Sequence, residues 1–70
     1  MAQNWKLFEE FLRTHKEFTY MDIVMELYRK GVSPNTVYSY IHRGKKCGLV
    51  RVKGRQGRTV ILESLIYAED

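Results

Sequence analysis

Between Leu27 and Leu62 the chain carries nine cationic side chains and no carboxylate: Arg29, Lys30, Arg43, Lys45, Lys46, Arg51, Lys53, Arg55 and Arg58. A block of this kind presents a positive potential and attracts a polyanion, for which nucleic acid is the usual candidate. The arginines offer planar, forked donors that match phosphate oxygens better than the point charge of lysine does. The acids lie outside the block. Residues 1–26 hold five carboxylates against three cations, and the segment 63–70 adds Glu63, Glu69 and Asp70, for a net charge of +4. A face kept only for solubility alternates both signs, and this block does not. Interleaved with the cations are short polar and aromatic side chains, Ser33, Asn35, Thr36, Tyr38, Ser39 and His42, of the kinds that reach base edges and phosphates.

Other chemistries find no support. His15, His42 and Cys47 stand 27 and five residues apart, which matches no zinc pattern. Gly54-Arg55-Gln56-Gly57 lies between two strand-like runs, not between a strand and a helix, so it is no phosphate-cradling loop. Neither a Ser-His-Asp set nor a pair of carboxylates in apolar surroundings is suggested. The expectation is a non-enzyme without metal or cofactor. A lone cysteine, no apolar run of about 20 residues and no signal-peptide pattern point to a soluble cytoplasmic protein, nucleoid-associated if prokaryotic or viral. Seventy residues, 44% of them apolar, fit one globular domain over 1–70 with a thin core, and so a function carried on the surface.

Three helices and a hairpin must position these side chains. Helix 1, about 3–15, has an apolar stripe of Trp5, Phe8, Phe11, Leu12 and His15, with Asn4 as cap and Leu7 off the stripe. Glu17-Phe18-Thr19 reads as a short extended link. Thr19 and Asp22 form a capping box for helix 2, about 20–30, whose buried side is Ile23, Val24, Leu27 and Tyr28. Gly31 ends it in a left-handed conformation. Ser33 caps helix 3, about 34–46, and Pro34 sits at its first position. Val37, Tyr40, Ile41 and Gly44 face helices 1 and 2, and Cys47 fills the core end. Asn35, Ser39, His42 and Lys46 then lie opposite, flanked by Tyr38 and Arg43. Leu49–Lys53 and Thr59–Glu63 are β-branched runs joined by the polar turn Gly54–Arg58, giving a hairpin over 49–63. Residues 64–70 form a short helix or a tail.

Two helices joined by the turn Gly31-Val32-Ser33, with a helix before and a hairpin after, resemble the winged helix-turn-helix domain of transcription regulators. The stretch from Val32 to Ile41 is similar to the start of a recognition helix. Cys47-Gly48-Leu49-Val50, running into Arg51-Val52, is similar to the exit into the first wing strand. The resemblance implies an α+β fold, a three-helix bundle with a helix-turn-helix and a C-terminal β-hairpin wing. It implies sequence-specific binding of double-stranded DNA and regulation of transcription. Ser33, Asn35, Thr36, Tyr38, Ser39, His42, Arg43 and Lys46 would serve the recognition helix in the major groove. Lys53, Arg55, Gln56 and Arg58 would place the wing on the minor groove or the phosphates. One such domain reads few base pairs, so a homodimer is expected, with its contact through helix 1 and the tail (Leu7, Leu65, Ile66, Tyr67). Non-specific architectural DNA binding, and a winged helix serving RNA binding or protein interaction, are the alternatives.

Overall fold

A computed structural model describes the backbone of residues 2–68 and the side chains of residues 4–68. Helix α1 spans Ala2–Thr14 and strand β1 Glu17–Thr19; α2 spans Tyr20–Arg29 and α3 Pro34–Cys47; strands β2 and β3 span Val50–Gln56 and Thr59–Ser64. The architecture is α+β, with three helices packed on a three-stranded antiparallel sheet of order β1-β3-β2.

The local signals that end each helix work as physical stops. Thr19 Oγ1 accepts from the Asp22 amide while the Asp22 carboxylate accepts from the Thr19 amide, a complete capping box. Gly31, at φ 93°, lets the Val32 amide reach back to Leu27 O at 2.9 Å and the Gly31 amide to Tyr28 O at 3.0 Å. That bond pair closes the carbonyl end of α2, and only a residue free of Cβ takes this φ without strain. Gly48 repeats the device after α3. The α2–α3 connection is thereby reduced to Lys30–Ser33, and its one apolar residue, Val32, is buried in the core.

Several expectations are corrected. Asn4 lies inside α1, not at its cap. The link Glu17–Thr19 is a strand: Phe18 pairs with Leu62 and is buried, and its two neighbours complete a three-residue ladder with β3. A three-residue segment has too little pattern for period-2 reading, so the extra strand was invisible. Tyr28 is 65% exposed rather than buried, because Ile23 and Leu27 already fill the inner face of α2. His15 lies past the end of α1, exposed, and stacks on Phe11 at 3.9 Å between ring centroids. Cys47 is exposed at the end of α3, since Gly44, one turn earlier, takes the inward position. The turn is only Gly57-Arg58, since Gln56 pairs with Thr59. Gly57, at φ 62°, supplies the positive angle that a two-residue loop needs. Gly54 belongs to β2, at a bulge between Val52 and Gly54. Residues 65–68 form no helix; Glu69 and Asp70 lie outside the described residues.

The core runs between the helices and the inner face of the sheet: Phe8, Phe11, Leu12, Phe18, Ile23, Leu27, Val32, Val37, Ile41, Val50 and Leu62. One buried polar group fastens its two halves together. Ser64 Oγ donates to Leu12 O at 2.6 Å and accepts from the Ile66 amide, while the Ser64 amide donates to Lys16 O. The end of β3 is thereby tied to the end of α1. Ser64→Ala leaves the Leu12 carbonyl without this donor, so a loss of about 1–3 kcal/mol is expected, read from urea unfolding at constant m.

Candidate functional site

α3 is about 21 Å long at 1.5 Å per residue. Its inward side is Val37, Ile41 and Gly44, all buried, with Tyr40 half-buried against Trp5 and Phe8. The 3.6-residue period then sends Asn35, Ser39, His42 and Lys46 outward, and all four are exposed. Tyr38, Ser39, His42, Arg43 and Lys46 line one shallow open depression on this outer side. Among the described residues no carboxylate forms an ion pair with any of them.

Neighbouring aromatic rings hold the flanks of this face. The Arg43 guanidinium lies 5.5 Å from the centroid of the Trp5 ring, a cation–π contact that limits its sweep. On another flank Lys45 Nζ donates to Tyr20 Oη at 2.7 Å and sits 5.4 Å from that ring's centroid. Tyr20 in turn stands 6.0 Å from Tyr38. Tyr20 and Lys45 were not among the expected site residues. They lie 25 positions apart, so no local pattern joins them.

The start of α3 is more occupied than its composition suggests. Ser33 Oγ accepts from the Thr36 amide and is 2.9 Å from Thr36 Oγ1. The Val37 amide donates to Ser33 O, and Pro34 has no N–H. Asn35 therefore carries the one free amide of this first turn among the described residues. Ser33 and Thr36 are cap residues first, with each hydroxyl partnered by the other.

The hairpin does not keep its four expected residues together. Arg58, at the tip, lines a groove with Tyr20, Met21 and Asp22 at the start of α2, Thr59 of β3 and Tyr38 of α3. Lys53, Arg55 and Gln56 instead border a depression with Glu17 and Ile61 on the sheet. There β1, β3 and β2 align Glu17, Glu63 and Arg51 in one row across the strands. Arg51 Nε donates to Glu63 Oε1 at 2.5 Å, and Lys53 Nζ pairs with the Glu17 carboxylate. Lys30 is likewise paired with Glu26 at 3.6 Å. The acid-free block thus receives carboxylates from outside itself. Lys53, expected to be a free cation, is neutralised locally, because pairing of β1 with β3 brings Glu17 alongside. Six of the nine, Arg29, Arg43, Lys45, Lys46, Arg55 and Arg58, have no carboxylate partner among the described residues.

The pairs leave a pH signature. The hydrogen bond from Arg51 holds the Glu63 carboxyl below its ordinary value. A depressed carboxyl adds stability above the unfolded pKa and loses it as the pH falls through the folded one. The hydrogen bond and charge of Glu17 raise the Lys53 pKa above its usual value, so the stability linked to Lys53 fades as the pH rises through that raised value. Thermal midpoints measured from pH 6 to pH 3 are expected to fall less steeply for Glu63→Gln than for the parent chain; parallel curves would contradict the pairing.

The leftover expectations concern α1 and the tail. Leu7 and Ile66 pack against the core rather than standing free, while Leu65 and Tyr67 are exposed. The Leu65 amide donates to Leu49 O and the Ala68 amide to Arg13 O, so backbone bonds hold residues 65–68 against the body. Among the described residues no group of three potential metal ligands occurs, and no helix is long and apolar enough to cross a membrane. No protein-family model, curated protein or solved structure matches this chain.

Proposed function

We propose that this chain is a winged helix-turn-helix protein that binds double-stranded DNA and regulates transcription. In this reading α3 enters the major groove, and the β2–β3 hairpin is the wing that meets the minor groove or the flanking phosphates. The observation that carries it is the outer face of α3. A helix about 10–12 Å across fits a groove about 12 Å wide. This one presents Asn35, Ser39, His42, Arg43 and Lys46 with no paired carboxylate among the described residues. Asn35 suits adenine and Arg43 suits guanine, each by two parallel hydrogen bonds worth about 1–3 kcal/mol of discrimination.

The cations divide by role. Lys45, Lys46, Arg55 and Arg58 form a set of about four phosphate-competent groups, so log affinity should fall against log salt with a slope near −3.6 per domain. Lys53 is not counted, since Glu17 holds it. Arg58 shares its groove with Tyr38 of α3, whereas Arg55 borders a depression with Glu17 on the sheet.

The test is selection of preferred duplexes from a random pool, followed by titration at several salt concentrations. The regulator reading expects a preferred sequence, and Asn35→Ala relaxes that preference. Arg55→Ala weakens selected and random duplexes alike and makes the salt slope shallower by about one. Equal affinity for selected and random duplexes would point instead to a non-specific architectural protein. No duplex binding at low salt would end the proposal and leave single-stranded RNA or a protein as partner.

A further inference from the structure

We propose that the outer side of α2 docks a second copy of this chain, as an antiparallel α2–α2 pair about a twofold axis. Met21, Met25 and Tyr28 recur at i, i+4 and i+7, and are 64%, 50% and 65% exposed. At 100° per residue they form one ridge about 60° wide, roughly opposite Ile23 and Leu27. Among the described residues no other element sets three large exposed apolar side chains on one face. Methionine side chains adapt to whatever surface meets them, and they are frequent at binding surfaces.

Charge identifies the occupant. Asp22, Glu26 and Arg29 lie along one flank of the ridge, with Phe11 and His15 across a shallow groove. Glu26 is paired with Lys30 just past the end of its own helix. Arg29 has no carboxylate partner among the described residues, and Asp22 uses only its Oδ2, to cap Thr19. What remains is a carboxylate at the start of α2 and a guanidinium two turns later. A parallel copy would set like against like. An antiparallel copy, with the twofold beside Met25, sets Asp22 of each chain level with Arg29 of the other, twice, and opposes the helix dipoles favourably.

Shape agrees with charge. An isologous contact needs a patch complementary to itself. About this twofold the two Met21–Met25–Tyr28 ridges meet each other, and the charged flanks of both copies lie on the same side of the seam. A ten-residue helix is only about 15 Å long, so the contact is at the small end of interfaces and the dimer is weak. The expected contact through α1 and the tail is less favoured, since Leu7 and Ile66 are spent on the core. The inference concerns the free protein and does not depend on DNA binding.

The experiment uses the whole chain without nucleic acid. Sedimentation from about 10 to about 500 µM, where a small interface assembles, should show the mass rising from one chain toward two. Met25→Lys and, separately, Tyr28→Lys should remain monomeric with unchanged circular dichroism, while Leu65→Lys should associate as the parent does. In a Cys47→Ser background, Met25→Cys lies beside the twofold and should cross-link on mild oxidation at least about tenfold more than Tyr67→Cys. A monomer at every concentration, association that survives both α2 substitutions, or preferential cross-linking of Tyr67→Cys would each overturn the proposal.

Discussion

Arg43→Glu combined with Lys46→Glu is expected to lower affinity for duplex DNA by about three orders of magnitude at moderate salt, with the fold intact. A hydrogen bond to a charged group contributes about 1.5–3 kcal/mol, so removing two costs about 3–6 kcal/mol, and each 1.4 kcal/mol is tenfold. The introduced carboxylates add repulsion from the phosphates, which moves the outcome toward the larger loss. One fewer neutralised phosphate, at Lys46, also reduces the steepness of the salt dependence by about 0.9 in log–log slope. Stability should change little. Both side chains are exposed, and what is at stake among the described residues is the Arg43 guanidinium over Trp5 and the favourable position of Lys46 in the last turn of α3. An exposed cation–π contact contributes about 0.5–1 kcal/mol, a few degrees in melting temperature for a domain of this size. Anisotropy titration with a labelled duplex, paired with a thermal melt of each variant, separates the effects. Unchanged affinity in a folded double variant would remove α3 from the interface and the DNA reading with it.

What the sequence disclosed, and what it hid, follows from the range of the interactions. Helix ends are written in adjacent residues: Thr19 with Asp22, Ser33 with Pro34, Gly31 and Gly48 at positive φ. The inner side of α3 was legible for the same reason, because a 14-residue amphipathic helix samples its period nearly four times. Strand β1 was not, since three residues carry no period and its partner lies more than 40 positions away. The charge map failed along the same line. An acid-free block in sequence became a partly compensated surface in space once β1 brought Glu17 to Lys53 and β3 brought Glu63 to Arg51. The expected turn is longer than the observed one because the bulge at Gly54 looks like a breaker in sequence while the ladder continues past it. The exposure of Tyr28 is not legible in sequence because apolar type alone does not say which face of α2 is already full.

Phe8→Ala is expected to be the most damaging single substitution for the fold. Phe8 is fully buried, with ring centroids 4.9 Å from Trp5 and 5.7 Å from Tyr40. Emptying such a site costs about 3–5 kcal/mol through lost transfer energy and the residual cavity. At 0.05–0.15 kcal/mol per residue a chain of this length has only about 4–10 kcal/mol to lose, so the variant should be marginal or unfolded at 37 °C. The position matters beyond its volume, because Gly44 of α3 rests on this ring. A Cβ added at Gly44 would stand 3.3 Å from Phe8 Cζ and 3.4 Å from Val50 Cγ2. Gly44→Ala alone therefore sets a helix-propensity gain of about 1 kcal/mol against crowding by an aromatic ring. In a Phe8→Leu background most of that ring is gone, and the gain should emerge. The double variant is then expected to be more stable than the sum of the singles allows, by about 0.5–1 kcal/mol, in urea unfolding of all four chains. Strict additivity would mean that Phe8 and Gly44 do not share a contact. Coupling means that the Phe8 ring helps set how closely α3 approaches the core at Gly44.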